Sequence, residues 1–178
     1  METKPSITAS DSAYIGQVLM AMGECTSAGL SKFSGWMLVG FAAILGALLA
    51  NLDAAAKFLA ADTLSRIALL FSAAVFLNVL QRYSAAVVSS SAEVAKKVRK
   101  QAVPENIDIV TFLEQIERAT LWPAQLMARR SNRKILAGDL AAGGRLISTF
   151  SQIEAWLVFA QVLISVAATW VLACGLRG

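Results

Sequence analysis

The fold class that this 178-residue sequence predicts is an all-α integral membrane protein, with three transmembrane helices and a helical cytoplasmic extension between the second and third. Three observations carry that reading. Apolar residues make up 57% of the chain and charged residues only 16%, with a mean hydropathy of +0.61; soluble domains run at ~45–50% and ~25%. The apolar residues collect in three runs that hold no charge at all. The alternation of period two that marks a half-buried strand is found nowhere.

Residues 1–32 read as a cytoplasmic N-terminal arm. Its first twelve residues, METKPSITASDS, are polar and rich in Ser and Thr, so they are expected to be disordered. AYIGQVLMAMG, residues 13–23, is apolar but too short to cross a bilayer, which takes ~20 helical residues. No basic segment precedes it as in a signal peptide, so a short interfacial or packed helix is expected.

The transmembrane hairpin is assigned to 33–83. FSGWMLVGFAAILGALLANL, 33–52, lies between Lys32 and Asp53 and has the length of one span. DAAAKFLAAD reads as a short outer loop. The second span has a core of only fifteen uncharged residues, Ile67–Gln81, between Arg66 and Arg82. Arginine at both ends can snorkel, and with Tyr83 the tolerable stretch becomes 64–83. The third span, 155–176, carries Trp156 and Trp170 toward its ends, where indoles favour the headgroup level.

Residues 84–154 are expected to be a basic cytoplasmic helical module. Steps of three and four from Leu70 give Ala73, Leu77, Leu80, Ser84, Val87, Ser91, Val94 and Val98, one small or apolar stripe without a phase break. The second span therefore continues into water as a single helix, and Pro104 ends it. PENIDIVTFLEQIERATLW reads as an amphipathic helix with Ile109, Phe112, Leu113, Ile116 and Thr120 on one face, stopped or kinked at Trp122–Pro123. A helical return to the membrane follows, loosened at Gly138 and at Gly143–Gly144.

Charge sets the orientation. Residues 82–154 hold eleven Lys and Arg, whereas the stretch between the first two charge-free runs, 53–66, holds Lys57 and Arg66. Positive residues stay inside, so the N-terminus is expected to be cytoplasmic and the C-terminus outside. The Ala-rich, signal-less chain is compatible with a bacterial inner membrane, and with an organelle membrane as well. Cys25 and Cys174 then lie on opposite sides and cannot bond within one chain.

For chemistry the sequence offers little. There is no His, which removes the commonest general base and metal ligand, and two distant cysteines make no zinc site. No catalytic residue, metal or cofactor is assigned, and an enzyme is not expected. Glu114 and Glu117 read as a solvated helix face. Polar groups within the three charge-free runs are few and none is ionisable, which argues against an ion-coupled transporter. Asn78, Gln161, Ser165 and Thr169 are the candidate pore or interhelical polar residues. Ala42, Gly46 and Ala50, spaced by four, form a candidate helix-packing face, expected to pack against the second span or, alternatively, a second subunit.

Lys96, Lys97, Arg99, Lys100, Arg129, Arg130, Arg133 and Lys134 form the candidate surface for an anionic ligand, lipid headgroups or a protein partner. Aromatic residues do not interleave with them, so sequence-specific nucleic-acid binding is not expected. Two functions compete on this basis. One is a self-associating, homo-oligomeric pore or membrane-perturbing effector controlled through the basic helices. The other is a structural or accessory subunit of a larger membrane complex.

Overall fold

The computed structural model describes residues 8–100, 108–119, 122 and 124–175. They form six helices: α1 (Ala9–Ala50), α2 (Leu52–Phe58), α3 (Ala61–Lys100), α4 (Ile109–Ala119), α5 (Ala124–Leu136) and α6 (Ala142–Gly175). The described residues are almost wholly helical and hold no strand ladder. α1, α3 and α6 are each long and apolar enough to cross a membrane. The chain divides into two compact units, one from residues 1–27 and 86–152 and the other from 28–85 and 153–178.

α1 begins earlier and runs longer than the sequence reading anticipates. Thr8 and Asp11 form a reciprocal capping box: the Asp11 amide donates to Thr8 Oγ1 at 3.2 Å, and the Thr8 amide donates to Asp11 Oδ2 at 3.1 Å. Residues 9–12 are therefore helical rather than a disordered arm; residues 1–7 lie outside the described part. Residues 13–23 are not a separate short helix either, because no proline or turn chemistry interrupts the 42 residues from Ala9 to Ala50. The loop expected after the first span contains its own short helix, α2.

α3 is a single 40-residue helix, as its unbroken period requires. The inward face only partly coincides with the expected stripe: Ser84 is buried and Leu70, Ala73, Leu77, Val87 and Ser91 are half-buried, but the most buried row lies beside it. Leu80 and Val94 are exposed, whereas Ile67, Ala74, Gln81 and Val88, seven apart, are buried together with Asn78 and Ala92. In a segment that is apolar on every side, several rows satisfy the same 3.5-residue period. The polar side chains that need partners decide which row turns inward.

In the unit formed by 28–85 and 153–178, the core consists of Phe41 and Leu45 from α1, Ile67 and Ala74 from α3, and Ala168 from α6. The Phe41 and Phe71 rings meet edge to face at 5.3 Å. The Ala60 amide donates to the Gly175 carbonyl at 3.4 Å. Large apolar side chains point outward: Trp36, Leu69, Phe76, Trp156 and Trp170 are all strongly exposed.

In the unit formed by 1–27 and 86–152, Val88, Ile147 and Phe150 make the core, flanked by Met20, Met127 and Leu146. α1 and α6 approach so closely here that a Cβ on Gly144 would strike the Gly16 backbone. Gly143–Gly144, expected to loosen the helix, sit in the first turn of α6, just after the break at 137–141, and Gly144 admits the neighbouring helix. Ser12 Oγ accepts from the Ala141 amide at 3.2 Å.

Asp108 caps α4, accepting from the Val110 amide at 3.0 Å and the Thr111 hydroxyl at 2.6 Å. Those bonds hold its carboxyl below the ordinary 3.8, with the Thr111 hydroxyl as the larger cause. Gly138, at φ +92°, ends α5. The Gly138 amide donates to the Ile135 carbonyl and the Asp139 amide to the Lys134 carbonyl, the two bonds of a Schellman cap. Pro104 and Pro123, assigned as helix stops, lie outside the described residues; α4 ends at Ala119 and α5 starts at Ala124.

Candidate functional site

Asn78 and Gln161, chosen from the sequence as polar residues within spans, come together around a third residue. Ser34 Oγ accepts from Asn78 Nδ2 at 2.7 Å and donates to Gln161 Oε1 at 2.6 Å. Gln161 Nε2 also donates to the Ser34 carbonyl at 3.4 Å. One side chain from each of α1, α3 and α6 is thereby tied in a buried triad.

A second polar pair lies in the same unit. Gln81 Nε2 donates to Glu154 Oε2 at 3.3 Å, and both side chains are fully buried. Gln81 Oε1 has no partner among the described residues. Glu154 marks the boundary of the third apolar run in the sequence, and its burial was not anticipated there. The signal was present: Ile147, Glu154, Gln161 and Ala168 recur every seven residues, and all four are buried. Near this level Arg82 Nη1 donates to Ser31 Oγ at 3.1 Å, and its other terminal nitrogen lies beside Gly35.

Ser165 and Thr169 do not join the triad. Their hydroxyls donate to the carbonyls one turn back, Gln161 and Ser165, both at 3.0 Å. This back-bonding is the usual way a helix satisfies a hydroxyl without a partner helix. Both residues border a largely apolar hollow of about 200 Å³ beside Phe41 and Ile67.

The face made by Ala42, Gly46 and Ala50 is exposed along its length, and a Cβ on Gly46 would meet nothing within 4 Å. It does not pack against the second apolar segment. The bulkier row through Phe41 and Leu45 faces inward instead, where it packs with Ile67 and Phe71.

The basic residues separate by one helical step. Arg129 and Arg133 border a hollow shared with Glu114, Glu117 and Arg118, where Arg129 Nε donates to Glu117 Oε1 at 2.6 Å. Arg130 and Lys134 border a different hollow of about 420 Å³ with Arg145. A rotation of ~100° per residue sends adjacent positions to different sides, so RRSNRK is two pairs rather than one patch. Lys96 is paired with Glu24 at 2.7 Å and Lys97 is exposed. The side chains of Arg99 and Lys100 lie outside the described part. Arg145 is engaged by Asp139.

Comparison with family models, curated proteins and solved structures finds no match for this chain.

Chemically, the triad is a set of neutral donors and acceptors satisfied by one another. It is suited to fixing the register of three helices rather than to moving protons or groups. Both cysteines are free and exposed.

Proposed function

We propose that this chain is a non-enzymatic, three-pass integral membrane protein of a bacterial inner membrane, serving as a structural or accessory subunit of a larger membrane assembly. The observation that carries the reading is the inverted distribution on α1, α3 and α6. Ser34, Asn78, Gln81 and Gln161 are buried, while Trp36, Leu69, Phe76, Trp156 and Trp170 face out. In water such an exterior is unfavourable; in lipid it is the expected one. The eleven Lys and Arg in 82–154 support a cytoplasmic location for that stretch, the N-terminus then lying inside and the C-terminus outside.

The subunit reading is preferred to the pore because Asn78 and Gln161 spend their hydrogen bonds within one chain. A pore ringed by these amides would need the triad to come apart in every subunit. Contact with neighbouring subunits is assigned to the Ala42, Gly46 and Ala50 face, where small side chains let another helix come close. The basic helices supply the cytoplasmic side of the assembly.

Native mass measurement of the chain purified in mild detergent tests this. A stoichiometric co-purifying membrane partner supports the subunit reading. A homo-oligomeric ring of the chain alone, together with collapse of membrane potential on expression, sinks it and returns the pore.

A further inference from the structure

The hollow between α5 and α6 has a chemistry that a structural or accessory subunit does not require. Arg130 and Lys134, one turn apart on α5, and Arg145 on α6 border it, and no acidic residue does. Arg145 is held by Asp139, whereas Arg130 and Lys134 have no carboxylate partner among the described residues. Met127 and Leu146, which also flank the unit's core, give the hollow an apolar floor, and Ser131 adds a hydroxyl. Its volume of about 420 Å³ falls in the range of small-molecule sites, ~300–1,000 Å³.

The neighbouring hollow makes the contrast. It is of similar size, about 470 Å³, and three arginines border it, but Glu114 and Glu117 stand among them and Arg129 is already paired. Of these two hollows, the α5–α6 one is bordered by cations with no carboxylate among them.

We infer that this hollow binds a phosphate monoester carrying an apolar body, the phosphate on Arg130 and Lys134 and the body against Met127 and Leu146. A guanidinium and an ammonium one turn apart supply charge-assisted donors to one dianionic group. Two sources share this chemistry. One is the headgroup of an anionic lipid: Thr149, which also borders the hollow, is six residues before the third apolar run, ~9 Å along α6. The other is a soluble nucleoside monophosphate, its base on the apolar floor.

The test uses the full chain and two double variants that remove the same charge, R130Q/K134Q and R129Q/R133Q. Native mass spectrometry of the detergent-solubilised protein scores retained phosphatidic acid against phosphatidylcholine, and calorimetry scores AMP against inorganic phosphate. Wild type should hold phosphatidic acid or AMP in preference to its control. R130Q/K134Q should weaken that binding about tenfold or more, while R129Q/R133Q leaves it within about twofold. Phosphatidic acid alone binding assigns the lipid source, and AMP alone the soluble one. Equal losses in the two double variants, binding of inorganic phosphate as tight as AMP with no lipid retained, or no binding of either ligand each overturn the site.

Discussion

The hydroxyl of Ser34 on α1 and the side-chain amide of Gln161 on α6 meet at 2.6 Å, and the same hydroxyl accepts from Asn78 on α3. Three helices thus share one oxygen. Ser34→Ala removes that oxygen and strands Asn78 Nδ2 and Gln161 Oε1, at an expected cost of ~1–3 kcal/mol. N78L/Q161L should cost less than the sum of its single substitutions, because the partners leave together. Unfolding in detergent by heat or denaturant reads both; an unchanged midpoint for Ser34→Ala would show that the triad contributes no stability.

Gly144→Ala places a methyl group against the backbone of Gly16, where no flexible side chain can yield. Overpacking of this kind costs ~1–3 kcal/mol. Gly40→Ala, at an exposed site with nothing within 4 Å, should leave the same unfolding midpoint unchanged or slightly raised. The difference between the two variants is the measurement that matters.

The proposed contact face has its own variant. Gly46→Leu meets open space within the chain, so the folded subunit should keep its thermal stability. It should nevertheless lose association with neighbouring subunits, read as a shift to lower native mass or loss of a co-purifying partner. Retention of the wild-type assembly would remove this face from the contact.

Asp108 gives a pH dependence with a definite sign. Its carboxyl is held below the ordinary 3.8 by the Thr111 hydroxyl and the Val110 amide. The stabilisation of the α4 start is therefore full above 3.8 and fades as pH falls through the lower folded value. Amide exchange at Val110 and Thr111, corrected for intrinsic rates, should show protection lost on acidification. Asp108→Asn, which still caps, should abolish that dependence.

The two exposed cysteines report the proposed orientation. A membrane-impermeant maleimide added to intact cells should label Cys174 and spare Cys25 until the membrane is opened. The reverse pattern would turn the topology over.

Much of the architecture was legible in the residues themselves. Charge-free runs of the right length locate α1, α3 and α6, and the unbroken period from Leu70 onward announces α3 as one helix. Asn78 and Gln161 were legible as polar residues needing partners inside apolar helices. Ser34 was visible only as the second residue of the first charge-free run, and Glu154 only as the residue before the third.

What the sequence by itself determined is therefore local and additive: which segments are helical, which are apolar enough to cross a membrane, and which stretch carries the positive charge. Each of these depends on composition and period along one element. Tertiary structure alone decided which face of each helix turns inward. Leu80 and Val94 gave way to Gln81 and Val88, Ala42 and Gly46 to Phe41 and Leu45, and RRSNRK divided between two hollows. The physical reason is that an all-apolar helix has no preferred face of its own. The face is chosen by which side chains fill the space, and by which buried polar groups find a donor or acceptor, on the helices packed against it.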